Sequence, residues 1–473
     1  MDPVNINIFE SDDEDFEEGI SRLRHPKTFR IRYNFERLCN GLKRVERLLD
    51  WKKVITEAYF PKLDSLIASR TWPARVANEK LSDLKREADQ IVQDVADLER
   101  WRDRIFDAIH NGRAMRRDGS FVNLTENEGI DILGNIVESS ILSPNREFYG
   151  DLHNMGHVFI AFIHDPDNRH LESFGVMGDT ATAMRDPIFY RWHGFIDNIF
   201  QQFKSTLPRY TIDQLNYSGV TIESVSIESE TGTNTLNTFW QQSDVDLSRG
   251  MDFQPRGPVL VRFTHLNHQP FNYRIIVDNN GAVRQGTCRI FMAPKYDESG
   301  RPWLFRDQRS LFIELDRFRV DLRQGQNTIT RASTESTVTI PFERSFRDLN
   351  ANRPQGGDDL AQFNFCGCGW PQHMLIPKGN TDDPGFRCEL FVMISNYEGD
   401  KINQDTSGVC NDADVFCGVK DKLYPDRRSM GYPFDRQPRR GVDNLQQFLT
   451  PNMRVQDVAI KFSNRTFKPR QNN

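Results

Sequence analysis

The spacing of hydrophobic residues changes near residue 215, and that change limits which folds this chain can form. Before it, apolar residues recur every three or four positions, as on one face of an α-helix. After it, they alternate with polar residues in short segments, as in β-strands with one buried face. Because the two patterns occupy separate stretches, we predict a multidomain α + β protein, with a helical domain over 31–212 and a strand domain over 213–473.

Three segments have helical spacing, and the sequence marks one end of two of them. Apolar residues recur every three or four positions through 91–109, and Gly112 follows where a helix would end. The same spacing recurs over 128–141. A third helix begins at Asp186-Pro187, where an aspartate N-cap precedes a proline whose missing N–H is not needed in the first turn. We therefore expect three amphipathic helices here.

Short strands follow one another after residue 215 without intervening helices, which predicts an antiparallel β-sandwich. Asn280-Gly281, between two of these strands, is a strong signal for a two-residue hairpin. The strand-like segments are VLVRFTHL, YRIIVDNNGAVRQGTCRIFM, LFIELDRFRVDL, TVTIPF, CELFVMIS and VAIKF.

Composition and charge exclude several classes of function. The formal net charge is −6, which argues against binding nucleic acid through bulk charge. No apolar run approaches the roughly 18 residues of a membrane span. The first residues, MDPVNINIFESDDEDFEEG, lack the basic-then-apolar order of a signal peptide, and we expect residues 1–30 to form an acidic disordered tail. The sequence thus predicts no nucleic-acid partner and no membrane partner.

Three histidines are the strongest candidates for a metal site. His153 and His157 are four residues apart on a segment with helical spacing, so both imidazoles lie on one face. His193, on the next amphipathic helix, would close a three-imidazole site if the two helices are antiparallel. Imidazole ligands suit copper, zinc, iron or nickel. The alternative is that two histidines four residues apart lie by chance on a surface helix.

The other histidines are weaker candidates. His164 and His170 lie in the polar loop HDPDNRH, and we expect both to be exposed. His265 and His268 are three apart on a strand and point to opposite faces, so they cannot chelate one ion within it. His373 is expected at the surface.

Four of the seven cysteines form two clusters, CGC at 366–368 and CNDADVFC at 410–417. A CxC pair is too tight to close on itself comfortably, which favours bonds between the two clusters. A structural zinc site is the alternative, although such sites usually have CxxC spacing. Cys39, Cys288 and Cys388 are predicted to be small buried hydrophobic residues.

Seven long blocks of the sequence carry a resemblance to a known family. They are ERLCNGL (36–42), YFPKLDSLIASRTWP (59–73), ERWRDRIFDAIH (99–110), GIDILGN (129–135), SPNREFYGDLHNMGHVFIAF (143–162), HLESFGVMGDTATAMRDPIFYRWH (170–193) and NTFWQQSDVDLSRGMDF (237–253). These blocks resemble arthropod prophenoloxidases, which are type-3 copper oxidases of the haemocyanin superfamily. The segment FNFCGCGWPQHMLIPKG (363–379) resembles a stretch diagnostic for prophenoloxidases within that superfamily.

The resemblance implies an α-helical copper domain followed by an Ig-like antiparallel β-sandwich. It implies that His153, His157 and His193 hold the second copper of a type-3 pair. It also implies that Glu138 is the catalytic residue that accepts a proton. Glu172, in the loop between the ligand helices, is our alternative for an acid–base role. The expected activity is oxidation of mono- and o-diphenols to o-quinones with O₂, in melanin formation and innate immunity.

The cysteine clusters gain a pairing from the same resemblance, which implies the disulfides Cys366–Cys410 and Cys368–Cys417. Disulfides indicate an oxidising place of action. The family reaches it by release from lysing blood cells into the haemolymph, so we expect an extracellular protein that is cytoplasmic before release and has no signal peptide.

One departure from the family pattern concerns the first copper site. Family members have a first HxxxH pair, a further histidine before a tyrosine, and an N-terminal domain with the proenzyme cleavage site. His25 lies one residue too far from Tyr33 to match, and one helical position turns a side chain by about 100°. We therefore expect the first copper to be absent and phenol oxidation to be weak or absent.

Three functions remain open on these grounds. The chain is a phenoloxidase-like copper oxidase acting on phenols and O₂. Alternatively, it is a non-catalytic family member that binds or oligomerises with phenoloxidase-like subunits, in homo- or hetero-oligomers. A haemocyanin-like oxygen carrier is the third, although that function needs two coppers equally.

Overall fold

The computed structural model describes residues 4–5, 80–172, 174–178, 183, 186–246, 260–340, 370–404 and 423–468. The chain divides into two compact units, and the division falls between Pro208 and Arg209. The first unit is mainly helical and the second mainly β, as the change in hydrophobic period predicts. Among the described residues, no helix has both the length and the apolar character needed to cross a bilayer.

The helices and strands are as follows. The helices are α1 (Val95–Asn111), α2 (Gly129–Val137), α3 (Arg146–Tyr149), α4 (Leu152–Ala161), α5 (Pro187–Thr206), α6 (Ile212–Leu215), α7 (Phe305–Gln308), α8 (Tyr397–Asp400) and α9 (Leu445–Phe448). The strands are β1 (Val4–Asn5), β2 (Leu84–Arg86), β3 (Ile91–Gln93), β4 (Arg113–Met115), β5 (Phe121–Asn123), β6 (Val220–Ser229), β7 (Gly232–Thr233), β8 (Thr235–Asp246), β9 (Leu260–His268), β10 (Phe271–Asn279), β11 (Arg284–Pro294), β12 (Ile313–Leu322), β13 (Gly325–Ala332), β14 (Thr339–Ile340), β15 (Trp370–Pro371), β16 (Phe386–Asn396) and β17 (Met453–Phe467).

The two helix ends that the sequence marks are confirmed, whereas the helical spacing over 128–141 gives a shorter helix, α2, which ends at Val137. Gly112 follows α1 in the left-handed region, at φ 64°, and its N–H reaches the carbonyls of the last turn. The Asp186 carboxylate accepts the Ile188 N–H at 3.0 Å, and Pro187 is the first residue of α5. The first helix begins later than its apolar pattern, because Ile91 belongs to strand β3, which pairs with β2.

One hydrophobic core holds the helical unit together. The apolar faces of α1, α2, α4 and α5 meet in it. Burial of these faces fixes α4 and α5, the two helices that carry the histidines. Its fully buried members include Ile105, Ile109, Leu133, Ile136, Phe159, Ile199 and Phe203.

The second unit is a sandwich of two sheets. A seven-stranded sheet has the order β1-β9-β8-β17-β16-β11-β12, and a four-stranded sheet has the order β13-β10-β6-β7. Most neighbours are antiparallel, but β8 with β17 and β1 with β9 are parallel. The C-terminal strand β17 therefore lies inside the sheet, between β8 and β16. Inward-facing residues of β6, β10, β11 and β16 form the shared core.

The predicted hairpin at Asn280-Gly281 is wrong. The strands on either side, β10 and β11, lie in different sheets: β10 pairs with β6 and β13, whereas β11 pairs with β12 and β16. The amide of Asn279 donates to three backbone carbonyls, those of Ala282, Leu322 and Arg323, and so ties the connection to the end of β12. Asn280-Gly281 therefore lies in a connection that crosses from one sheet to the other.

The prediction for His373 is also wrong, because this residue is buried in the sandwich unit and is only 4% exposed. It lies in the turn Gln372–Met374, and its ring centroid is 4.5 Å from that of His265 on β9. His265 and His268 are buried as well. His265 contacts the Ser243 hydroxyl, whereas the Nε2 atom of His268 lies 3.0 Å from the Gln372 carbonyl.

Cys288 and Cys388 are buried and carry free thiols, as the prediction of small hydrophobic residues requires. Burial raises the pKa of both thiols, so neither is a reactive thiolate at neutral pH. The predicted disulfides Cys366–Cys410 and Cys368–Cys417 lie outside the described residues, as do Cys39 and His25. Of the predicted tail, only Val4–Asn5 is described.

Candidate metal centre

His153, His157 and His193 bring one ring nitrogen each into a single cluster. The Nε2 atom of His193 lies 3.1 Å from Nε2 of His157 and 3.4 Å from Nε2 of His153. The three nitrogens all lie within 4.8 Å of one another. Within the described ranges, this is the one group of three or more His, Cys, Asp or Glu side chains that could hold a metal ion. The structure thus brings together the three histidines that the sequence singles out.

Two helices set this geometry. His153 and His157 are one turn apart on α4, and His193 lies on α5. The indole N–H of Trp192 donates to the carbonyl of His153 at 3.2 Å and so bridges the two helices beside the cluster. A Cβ atom at Gly156 would overlap the Trp192 ring. The helices can therefore approach this closely only because residue 156 has no side chain.

The outer ring nitrogens of two histidines are held by acceptors. Nδ1 of His153 lies 2.9 Å from a carboxylate oxygen of Glu138, and Nδ1 of His157 lies 2.9 Å from the carbonyl of Met177. A carbonyl and an ionised carboxylate only accept hydrogen bonds, so both Nδ1 atoms carry the proton. Both Nε2 atoms then present lone pairs to the centre of the cluster, which is the tautomer that a metal ion needs.

The charge states of the cluster agree with this tautomer. Burial, followed by the neighbouring imidazoles, lowers the pKa of His193 to about 4, so the ring is neutral at physiological pH. The hydrogen bond from His153 lowers the pKa of Glu138, whose side chain is 49% exposed. The site therefore combines the neutral imidazole of His193 with one ionised carboxylate at its edge.

The donor set fits a transition-metal ion. Bonds of about 2.0–2.1 Å to nitrogen, at angles between trigonal and tetrahedral, place neighbouring ligand nitrogens roughly 3.3–3.6 Å apart. The His153–His193 separation of 3.4 Å falls in that range, and the His157–His193 separation of 3.1 Å is slightly shorter. Three imidazoles suit copper, zinc, iron or nickel.

Two family descriptions match the chain. "Hemocyanin, copper containing domain" matches residues 26–200, which include the three histidines, and "Hemocyanin, ig-like domain" matches residues 209–462, more than half of the chain. The chain belongs to the haemocyanin family. Its first domain is the family's copper-containing domain and its second is the Ig-like domain, so the predicted fold class is confirmed.

Named relatives place this haemocyanin-family chain with the arthropod phenoloxidases. Phenoloxidase 1 of Holotrichia diomphalia is 68% identical over 444 residues, which are 93% of this chain and 65% of that protein. Phenoloxidase 2 of Drosophila melanogaster is 60% identical over 438 residues, which are 92% of this chain and 64% of that protein. The chain therefore spans just under two thirds of the length of these relatives.

Solved structures of the haemocyanin family agree. A scorpion hemocyanin in its activated state is 44% identical, with a TM-score of 0.76 over 83% of this chain and 61% of that chain. A crustacean prophenoloxidase of the hemolymph type is 30% identical, with a TM-score of 0.71 over 83% of this chain and 57% of that chain. The predicted resemblance to prophenoloxidases is confirmed.

Glu172, the alternative acid–base residue, is paired with His164. Its carboxylate oxygen lies 3.2 Å from His164 Nε2, and its N–H donates to Asp165. The side chain of His164 is only 7% exposed, so the prediction of an exposed His164 is wrong, whereas His170 is exposed as expected. The loop is polar in sequence, but it folds back over buried carboxylate and guanidinium groups.

Two contacts of this haemocyanin-family site were missed by the sequence analysis. The Met177 acceptor is a backbone carbonyl, and any residue type supplies one. Phe189 is one helical turn before His193, and its ring centroid lies 4.0 Å from that of His193. The spacing of Phe189, Trp192 and His193 on one helix could have indicated that aromatic rings support the third histidine.

Proposed function

We propose that this chain binds one copper ion through the Nε2 atoms of His153, His157 and His193, as the second copper site of a type-3 phenol oxidase. The observation that carries the proposal is the convergence of three imidazoles, two of them with Nδ1 already bonded. The names of the relatives support phenols and O₂ as the reactants. Copper, when bound, supplies one-electron redox chemistry and a binding place for O₂.

The side chains around the ion have separate tasks. Glu138 and the Met177 carbonyl orient two imidazoles through their Nδ1 protons. Oxidation of an o-diphenol to an o-quinone gives up two electrons and two protons, which reduce O₂ towards water, and we assign to Glu138 the acceptance of one of those protons. Its carboxylate is ionised, because its pKa is lowered, and about half of it faces solvent. The ring of Phe189 packs against His193, and Trp192 ties the two ligand helices together through the His153 carbonyl.

A second candidate is a non-catalytic subunit that binds copper and associates with phenoloxidase-like chains. It is favoured by one observation: the described part of the chain offers a single group of three metal ligands. A type-3 oxidase couples two coppers, so a chain with one is expected to oxidise catechol no faster than free copper. We propose the haemolymph as the place of action, in keeping with the hemolymph type of the crustacean relative, and homo- or hetero-oligomers as its assembly.

Copper binding is tested by removing one ligand. His157→Ala takes away the imidazole that is held by a backbone carbonyl, and we expect the purified chain to lose most of its copper. His170→Ala is the matched control, since His170 is exposed and belongs to the same unit. Copper is measured by mass spectrometry after loading and desalting. An equal copper content in the two variants would contradict the site assignment. Two coppers per wild-type chain would refute the single-ion proposal.

Catechol turnover then separates the two candidate functions. The copper-loaded chain is compared with the same concentration of free copper and with His157→Ala. Turnover that exceeds free copper and is lost in the variant supports the oxidase. Turnover equal to free copper, together with association of the chain with a full-length phenoloxidase in a pull-down, supports the non-catalytic subunit.

A further inference from the structure

A loop returns from the end of α4 to the metal cluster. It leaves the helix at Phe162, and the N–H of Gly175 comes back to the carbonyl of Ala161 at 2.7 Å. The turn Val176–Gly178 follows, and its buried Met177 gives the carbonyl that holds Nδ1 of His157. The course of the loop therefore decides where that carbonyl lies, and with it the orientation of His157.

A buried arginine from outside the loop holds it at two points. Arg86, on strand β2, is only 3% exposed. One terminal nitrogen donates to the carbonyl of Asp165 at 2.5 Å, and the other donates to the carbonyl of Glu172 at 2.9 Å. The guanidinium also lies 4.0 Å from the centre of the Phe162 ring. The planar guanidinium thus joins two points of the loop, Asp165 and Glu172, which a single ammonium group could not do with the same geometry.

The loop between these two points is closed by a buried carboxylate. Asp165 is fully buried and accepts the N–H groups of His170 and Glu172 at 3.2 and 3.1 Å. Burial alone would raise the pKa of Asp165, but these N–H groups and Arg86 outweigh it and hold the pKa below its usual value. The carboxylate is therefore charged, and Arg86 is its counter-ion at 3.4 Å.

The backbone of the loop is strained where it turns. Asn168 and Leu171 adopt left-handed conformations, at φ 61° and 51°. Asparagine tolerates this region, but a leucine there is strained and persists only where the surroundings fix it. Leu171 is 76% exposed, so its own side chain contributes little to fixing it. The contacts to Asp165 and Arg86 on either side supply the restraint.

We propose that Arg86 is a positioning residue for the metal centre: by clamping the loop at Asp165 and Glu172, it keeps the Met177 carbonyl on His157 and so presents His157 Nε2 to the ion. The inference rests on the proposed function in one respect, that His157 is a metal ligand. The tautomer of His157 can be measured without any ion.

The first test reads the tautomer of His157 without metal. The chain is labelled with ¹⁵N-histidine, and the ring nitrogens are observed by NMR at pH 8, with His157→Gln used for assignment. We expect wild type to show a protonated Nδ1. Arg86→Met, which keeps the length of the stem, and Arg86→Lys, which keeps the charge, should both give a mixture of tautomers. Arg117→Met is the matched control, since Arg117 is 79% exposed and pairs with Glu147.

The second test measures metal affinity by titration with Co²⁺, whose binding is followed by its visible absorption. Loss of a supporting contact to a histidine ligand weakens metal binding by about 10- to 100-fold, and Arg86 acts one step farther away, so we expect a loss of about tenfold in both Arg86 variants. The shape of the Co²⁺ spectrum should change with it, which a purely structural role for Arg86 would not cause. Arg117→Met should match wild type.

The outcomes separate the two proposals. If a folded Arg86→Lys keeps both the wild-type tautomer and the wild-type Co²⁺ affinity, Arg86 does not position His157. That result is sufficient to reject the proposal even if Arg86→Met does not fold. If wild type binds neither Co²⁺ nor copper, the proposed function fails, and the tautomer measurement still decides the role of Arg86.

Discussion

His153 and His157 lie one turn apart on the same helix, yet different kinds of acceptor hold their outer nitrogens. Glu138 is a side chain, and it is half exposed. Met177 contributes a backbone carbonyl in a buried turn. Substitution can remove the first acceptor directly, whereas the second can be moved only through the loop that carries it. The two ligands should therefore differ in how they respond to distant changes.

Gly156 allows a direct test of the approach between the two ligand helices. Gly156→Ala places a methyl group against the Trp192 ring, and we expect a loss of about 1–3 kcal/mol in the free energy of unfolding, because such overpacking forces the backbone to shift. Metal affinity should fall as well, since Trp192 precedes His193. The measurement is urea unfolding of the metal-free chain, followed by Co²⁺ titration.

The control for this prediction is another helical glycine of the same unit. A Cβ atom at Gly134 on α2 meets nothing within 4 Å. Gly134→Ala should therefore stabilise the chain by about 0.5–1 kcal/mol, because alanine loses less backbone entropy in a helix. If both variants are destabilised equally, close packing at Gly156 is not the cause.

The three histidines could be predicted from their spacing, because the period of a helix places residues four apart on one face. The supporting residues could be predicted only in part. Glu138 came from the family resemblance, and it has no distinguishing pattern of its own in the sequence. Arg86 and Met177 could not be found at all, since a distant arginine and a backbone carbonyl become partners only after the loop has folded.

At the scale of elements, the start of α5 is the most clearly encoded feature. Asp186→Ala removes the side chain that caps the Ile188 N–H, and we expect a loss of about 1 kcal/mol in the free energy of unfolding. Asp186→Ser keeps a capping oxygen and should recover most of it. Urea unfolding of the two variants beside wild type measures the difference. Equal losses for alanine and serine would show that the cap is not what Asp186 contributes.

The errors in the prediction of the strands have one cause. Asn280-Gly281 has the local sequence of a hairpin, but the partners of β10 and β11 are strands far along the chain. Local turn residues report the path of the backbone over two residues and carry no information about which sheet each strand joins. His373 was predicted at the surface for the same reason: a polar residue in a turn is buried here because β9 packs against that turn.

At the scale of the whole molecule, we expect acid to destabilise the sandwich unit by protonating His265. Burial lowers the pKa of this residue to about 4 from an ordinary 6.5, because a charged ring is disfavoured away from water. Between pH 6.5 and 4 the unfolded chain binds the extra proton, so stability is complete above this window and falls as the pH falls through it. The expected loss is roughly 3 kcal/mol at the acid end.

Hydrogen exchange of peptides from β8 and β9 measures this effect at a series of pH values, after correction for the intrinsic exchange rate. His265→Gln cannot take up a proton, so its protection factors should depend less on pH than those of wild type. Burial also lowers the pKa of His268, which leaves some acid sensitivity in the variant. Identical pH profiles for the two proteins would contradict a role for His265.

The position of β17 has a consequence for how the protein is made. This strand lies between β8 and β16, so the interior of the larger sheet contains residues 453–467. A ribosome adds these residues more than two hundred positions after β8, and until then β8 and β16 each expose one unpaired edge. The larger sheet therefore cannot be completed until residues 453–467 have been made. Nascent chains should depend on chaperones that cover strand edges, and loss of residues 453–467 would open the sheet at its centre.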